Sequence, residues 1–363
     1  VKILHVEAGR NLYGGALQVL YILEGLAARG VENVLACPPD SEIALAAGKA
    51  ARVAPVRMGG DVDALLALRL RRLIAEVSPD LVHVHSRRGA DPWAGLAARM
   101  AAVPCVVSRR VDNPEARWVV ATKYRLYAHV ITISEAIRQV LIEEGLAPGK
   151  VTCVRSAVDP APYLRDIDRA AMCREFDLPA DALVVGMVAQ FIPRKGHHVL
   201  LAALPQLRAQ FPQLRVLLFG KGPLVASVQG EIGARGLQAC VKLVGFRDDL
   251  PRWLGGLDLL VHPADMEGLG VSLLQAAAAG VPIIASRAGG LIEAVEEGVT
   301  GVLVPPGDPP ALAAAMERLL SDQALRKQMG RAGRSRVLEK FSVDAMTEGN
   351  LAVYRAVLRG RRT

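Results

Sequence analysis

Short aliphatic runs, each followed by a longer amphipathic stretch, recur from one end of the chain to the other. They are KILHV, VLACP, DLVHVHS, CVVSR, VITIS and VTCVR in the first half, then LVVGMVA, RVLLFG, VKLVG, LLVHP, PIIAS and GVLVP. A strand apolar on both sides must be covered on both faces, and the intervening stretches have crossover-helix length, so the pattern predicts doubly wound parallel sheets of α/β type. Between the two sets, in AVDPAPYLRDID, Pro160 and Pro162 break either periodicity and place a linker near residues 157–167. With 363 residues, 52% of them hydrophobic, the chain can fill two cores, one in residues 1–160 and one in 161–342. Segment 341–358 carries Met346, Leu351, Val353, Tyr354 and Val357 at roughly helical spacing with no strand after it, and is expected to be a terminal helix. Ligands of such sheets collect beyond the carboxyl ends of the strands, which directs attention to the loops there and to a cleft between domains.

Several classes are excluded. Every apolar stretch is interrupted before the roughly 18 residues that a membrane-spanning helix requires. The opening VKILHVEAGR reads as a strand that meets Glu7 too early for a secretory segment, so a cytoplasmic location is expected. Cys37, Cys105, Cys153, Cys173 and Cys240 show no CxxC or His-linked metal spacing and are expected to be reduced core residues. No Gly-x-Gly-x-x-Gly follows a strand, which removes a nicotinamide dehydrogenase, and Asp61-Val62-Asp63 precedes a helix and reads as its N-cap region rather than a metal-binding motif. Charge is uneven: residues 69–125 hold eleven Lys/Arg against five Asp/Glu, and the last thirteen residues hold four Arg and no acid. Such patches suit phosphates or an anionic membrane face, or are simply solvated helix faces; without interleaved aromatics they do not suit nucleic acid.

The most informative stretch is LDLLVHPADMEGLGVSLLQAAAAGVPIIAS, residues 257–286. A strand ends at Pro263, a loop brings Glu267, and Gly268 and Gly270 precede a helix whose unpaired N–H groups and dipole can hold a diphosphate. Glu267 at that mouth would repel phosphate but can accept from sugar hydroxyls, which suggests a sugar attached to the phosphate; the structural alternative is an acid favouring a helix N-terminus.

This stretch resembles the signature of the retaining GT-B glycosyltransferases of family four, in which Glu-Gly-Phe-Gly opens a helix with a second Glu eight positions after the first, followed by Gly-x-Pro. Here the matching residues are Glu267, Gly268, Leu269, Gly270, Gln275, Gly280 and Pro282, so the second acid is replaced. The resemblance implies that Glu267 contacts the donor sugar and that Gln275 stands where the ribose is held, a neutral bond of about 0.5–1.5 kcal/mol replacing a charge-assisted one of about 1.5–3. VVGMVAQFIPRKGHHVLLAAL, residues 184–204, is similar to the family's strand with Gly-Arg and then Lys-Gly: Arg194 and Lys195 match the phosphate-holding cations, and Gln190 replaces the first Arg. LLFGKGP, VGFRDDLPRWLGGLDLLVHP and GGLIEAVEEGVTGVLVPPGD follow in the family's order. By the same resemblance Gly245 and Phe246 lie beside the nucleobase, Gly220 and Gly222 near the nucleotide, and Val271 with Gly268–Gly270 at the donor.

In the first half, NLYGGALQVLYILEGLAARG resembles the family's glycine-rich loop, with Gly14 and Gly15 open to the donor phosphate or the acceptor. PDLVHVHSRRGADPW resembles the strand ending in His-x-His, which implies that His85 at the carboxyl tip meets the reacting sugar; a satisfied structural histidine is the alternative, and His83 is left out of the site. Arg87, Arg88, Arg109 and Arg110 follow strands in pairs and could grip acceptor phosphates or carboxylates. They suggest similarity to bacterial enzymes that build lipopolysaccharide cores or surface glycans.

The resemblance thus implies two facing Rossmann-like domains with the final helix, 343–363, returning to the first. It further implies metal-independent, retaining transfer of a sugar from a nucleotide-sugar, UDP being the commonest donor nucleotide, to a glycan or lipid-linked acceptor. Glu267, Arg194, Lys195 and His85 form the expected catalytic set, with no cofactor, and the basic regions could seat the protein on the inner face of the cytoplasmic membrane. The alternative is a catalytically degenerate relative that binds nucleotide-sugars or regulates.

Overall fold

The computed structural model describes residues 1–12, 14–85, 90–165 and 167–360. It divides into two compact units, Val1–Ala157 with Val343–Thr363, and Val158–Ser342. The first unit is built on strands β1 (Lys2–Glu7), β2 (Glu32–Cys37), β3 (Arg52–Pro55), β4 (Leu81–His85), β5 (Cys105–Arg109), β6 (His129–Thr132) and β7 (Val151–Cys153), arranged in the order β3-β2-β1-β4-β5-β6-β7. The second is built on β8 (Leu183–Val188), β9 (Leu214–Phe219), β10 (Val241–Gly245), β11 (Leu259–His262), β12 (Ile283–Ser286) and β13 (Gly301–Val304), arranged β10-β9-β8-β11-β12-β13. Every pairing within these sheets is parallel.

Each sheet reverses its strand order once, between β1 and β4 in the first and between β8 and β11 in the second. Helices that follow strands on either side of such a reversal leave in opposite directions and open a crevice above the strand ends. The loops after β1, β4, β8 and β11 are therefore the places where each unit can take a ligand.

Aliphatic packing accounts for the near-continuous hydrophobic runs. Val185, Met187, Val216, Leu218, Val261 and Ile284 pack with Leu200, Leu204 and Met316 in the second unit, while Leu4, Val82, Val84 and Val107 pack with Leu70, Ala94 and Ala97 in the first. β3 was absent from the sequence reading because it is a four-residue edge strand carrying Arg52 and Pro55 with both ends exposed, so no apolar run marks it.

The terminal helix Val343–Arg359 buries Met346, Leu351, Val353 and Tyr354 against Ile3, Ile22 and Leu81 of the first unit. The chain passes between units at Ala157/Val158. There the Gln18 amide donates to Ala157 C=O and accepts from its N–H, both at 2.7 Å, whereas Val158 N–H donates to Phe341 C=O at 3.0 Å. Asp63 corrects the N-cap reading: its carboxylate accepts from Gly59 N–H at 2.7 Å and pairs with Arg69, and the cap position is Ala64. Cys37, Cys105 and Cys240 are buried, but Cys153 and Cys173 are only half-buried and are not core residues.

Candidate active site

In the second unit, the loops after β8 and β11 are tied together. Asp265 N–H donates to Arg194 C=O at 2.9 Å, and Gly196, at φ +73°, lies so close to Pro263 that a Cβ there would stand 1.9 Å from its carbonyl oxygen. Only glycine permits that approach. The Glu267 C=O accepts from Gly290 N–H at 2.9 Å, and Gly290 is equally crowded, its added Cβ falling 2.0 Å from Gly268 C=O.

This packing brings Lys195 and Glu267 into an ion pair, with the Lys195 ammonium donating to Glu267 Oε2. His262, the last residue of β11, donates from Nε2 to the same oxygen at 3.1 Å, and Gly268 N–H reaches Oε1 at 3.3 Å. Burial alone would push the Glu267 carboxyl up; the His262 hydrogen bond and the Lys195 charge outweigh it and hold the group far below the usual carboxylate range. Glu267 is thus a permanently ionised acceptor.

Sequence reasoning found Glu267, Lys195 and Arg194 separately; the structure pairs the acid with Lys195. It also missed His262, which looked like part of a strand, although its place at the carboxyl end of a parallel strand beside the reversal was a usable signal. His197 was missed too. It is 3% exposed, stacked on Phe191 with centroids 4.3 Å apart, and pushed down to about 4 by burial and by the nearby His262 and Lys195.

The other donor-side residues are placed as follows. Leu269 is 1% exposed, so only its backbone can meet a ligand. Gly270, at φ +81°, caps the helix Val271–Ala278, on which Val271 and Gln275 are half-buried. Gly245 C=O accepts from Gly220 N–H at 2.8 Å, and Phe246 is exposed with Lys221 Nζ 4.8 Å from its ring centroid. Gln190 is exposed.

In the first unit, Gly14 and Gly15 are exposed at the start of the helix Gly14–Ala27, and the Arg110 Cδ lies 4.0 Å from where a Gly15 Cβ would be. Arg110 Nη2 approaches His85 Nδ1 at 3.4 Å, so Gly15, His85 and Arg110 meet at the β1/β4 reversal. Arg110 is pulled down to about 10 by burial, partly offset by Glu7. Arg109 is a correction: its buried guanidinium is committed to Asn113 C=O at 2.5 Å and Glu115 at 3.2 Å, which removes it from any acceptor-gripping set. It is the last residue of β5 and is buried there. Arg87 and Arg88 lie outside the described residues.

His5, His83 and His85 form, among the described residues, a cluster whose ring nitrogens are close enough for one metal ion. All six nitrogens have protein neighbours within hydrogen-bond range, His83 between Tyr354 Oη at 2.6 Å and Ser108 Oγ at 2.8 Å. Burial holds all three below the usual imidazole value, His5 at about 4. An unfolded chain protonates these rings below about 6.5 while the fold does not, so their contribution is complete above that pH and is lost as pH falls toward 4. Urea unfolding is expected to show lower stability at pH 5 than at pH 7, by about 2 kcal/mol from His5 with His83 and His85 acting in the same direction; equal stability at the two values would contradict the neutral, buried rings.

Two doubly wound parallel sheets, the second carrying a Glu–Lys–His cluster at its reversal, define an α/β protein with a charged site at the carboxyl ends of its strands. A family model described as Glycosyl transferases group 1 matches residues 168–336, and one described as Glycosyltransferase Family 4 matches residues 13–162. The chain belongs to this family of glycosyltransferases. It is 31% identical to a glycogen synthase of Mycobacterium tuberculosis over 81% of this chain and 73% of the relative. It is 24% identical to the lipopolysaccharide core biosynthesis glycosyltransferase LpsE of Rhizobium meliloti over 97% of this chain and 98% of that one. Among solved structures, HepE of Anabaena in complex with UDP superposes with a TM-score of 0.86 at 22% identity, covering 98% of this chain and all of the other (100%). No helix among the described residues is long and apolar enough to cross a membrane.

Proposed function

We propose that the protein transfers a sugar from a UDP-linked donor, with retention at the anomeric carbon and without a metal ion, to a glycan or lipid-linked acceptor of the lipopolysaccharide-core kind. The observation that carries this reading is the Lys195–Glu267–His262 cluster at the strand reversal of the second sheet. The relatives support the choice of partners: HepE is described in complex with UDP-glucose, and LpsE is named for lipopolysaccharide core biosynthesis.

In the proposed reaction the bond from the anomeric carbon to the donor phosphate oxygen breaks, the acceptor oxygen bonds to that carbon on the same face, and the acceptor proton passes to the departing diphosphate. Arg194 and Lys195 stabilise the charge that develops on that diphosphate, fixed cations supplying what a divalent ion would otherwise supply. Glu267, kept ionised, accepts from the sugar hydroxyls. Gly268–Gly270 and Val271 border the phosphates, Gly220, Gly245 and Phe246 the nucleoside, and Gln275 the ribose. His85, fully buried with its ring nitrogens facing His5 and Arg110, holds Arg110 in place instead of meeting the sugar; Gly14 and Gly15 border the ligand, and Arg110 with Arg87 and Arg88 takes the anionic acceptor. A lipid-linked acceptor would be met at the inner face of the cytoplasmic membrane.

Calorimetry with a panel of nucleotide-sugars, followed by NMR of the product, tests the reading. UDP-sugar binding, an anomeric configuration equal to the donor's and transfer undiminished by EDTA are the expected results. Binding without turnover would instead favour the degenerate relative that Gln190 and Gln275 suggest, and an inverted product would remove retention.

A further inference from the structure

We propose that Asn33 and His5 are positioning residues that fix the tautomer of His85 and thereby aim Arg110, through a hydrogen-bond chain running from β2 across β1 to the tip of β4. The inference rests on the reading that Arg110 meets the acceptor.

Every proton in the chain follows from its two ends. A guanidinium has donors and no acceptor, so the Arg110 Nη2 facing His85 Nδ1 at 3.4 Å requires a lone pair on that nitrogen. A neutral His85 then carries its proton on Nε2, which faces His5 Nδ1 at 3.0 Å. His5 accepts there and carries its own proton on Nε2, which faces Asn33 Oδ1 at 3.3 Å. The Asn33 amide cannot turn around, because its Nδ2 donates to both Leu23 C=O and Ala50 C=O at 3.1 Å. Two backbone carbonyls thus set the direction, and a guanidinium receives it.

The setting suits such a device. His5 and His85 are fully buried, Asn33 is 4% exposed, and the rings of His5 and His85 stack with an interplanar angle of 10°. A bound metal would need lone pairs that the chain has already used.

Asn33→Asp reverses the polarity. A carboxylate beside His5 Nε2 favours the imidazolium, whose Nδ1–H would donate to His85 Nε2 and drive the His85 proton onto Nδ1, against the Arg110 donor. The titratable groups packed on His5 among the described residues are His83 and His85 from β4; beyond them Arg110 acts on both rings and Glu7 on Arg110, and of these Glu7 alone carries a negative charge.

The test combines 15N long-range NMR of the imidazoles with kinetics on the panel donor of highest turnover. In the wild type, His5 and His85 are expected as neutral Nε2–H tautomers between pH 6 and 8. In Asn33→Asp, His85 is expected as the Nδ1–H tautomer, with turnover lowered about 10–100-fold and donor KM within about twofold. A wild-type His85 protonated on Nδ1, or stoichiometric binding of Zn²⁺ to the three rings, overturns the proposal even if the variant fails to fold. A switched tautomer with unchanged turnover overturns it as well. Arg110→Ala separates the two layers: unaltered kinetics there would remove the underlying reading of the site, whereas reduced kinetics with an inert Asn33→Asp would remove only the relay.

Discussion

Lys195→Ala is expected to lower turnover by about 10²–10³-fold, the size of effect that follows loss of one preorganised group at a site of developing charge. The same change also leaves the Glu267 carboxylate in a largely enclosed place with only His262 Nε2 and a long contact from Gly268 N–H. Breaking one partner of a fully buried pair costs about 3–5 kcal/mol, and this pair, with side chains 10% and 17% exposed, should fall below that range. Thermal unfolding of the second unit should therefore drop by several degrees. A Lys195→Met, Glu267→Gln double variant separates the two effects: it removes the stranded charge and should regain most of the lost stability, yet stay as slow as the single variant. Recovery of turnover in the double variant would mean that neither Lys195 nor Glu267 takes part in transfer and that the pair serves the fold alone.

Glu267→Gln should depress turnover to a similar extent while preserving the shape of the site, since an amide oxygen can still accept from His262. What is lost is the charge that orders sugar hydroxyls and balances Lys195. Because Glu267 is held far below the ordinary carboxylate range, its carboxylate form persists across all working pH. The ratio of wild-type to variant turnover should then be constant from pH 5 to pH 8. A ratio that shrinks toward unity near pH 6 would show that Glu267 works as a titrating acid, which the hydrogen bonds from Lys195 and His262 argue against.

Much of the fold was legible because burial on both faces of a parallel sheet forces aliphatic runs, and those runs are plain in the sequence. β3 was not, since an exposed edge strand has no need of them. The loops holding Arg194, Lys195 and Glu267 were legible as motifs; the Lys195–Glu267 ion pair was not, because it depends on Gly196 lying against Pro263, a contact between residues far apart in sequence. Arg109 and Arg110 are adjacent and look alike on paper. One ends β5 and is tied to Glu115, while the other lies just past the strand and reaches His85. The role of His5 was invisible for a similar reason: only the β1–β4 register, which sets His5 opposite His83 and Glu7 opposite His85, assembles the histidines.

The terminal helix Val343–Arg359 completes the first unit although the whole second unit precedes it in the chain. During synthesis at roughly 5–20 residues per second, the second unit can close while the first still lacks the layer that covers Ile3, Ile22 and Leu81 and supplies Tyr354 to His83. The nascent first unit therefore keeps an apolar groove open until residues 343–359 have been made, so truncation near residue 340 should harm the first unit more than the second, which is complete by Ser342.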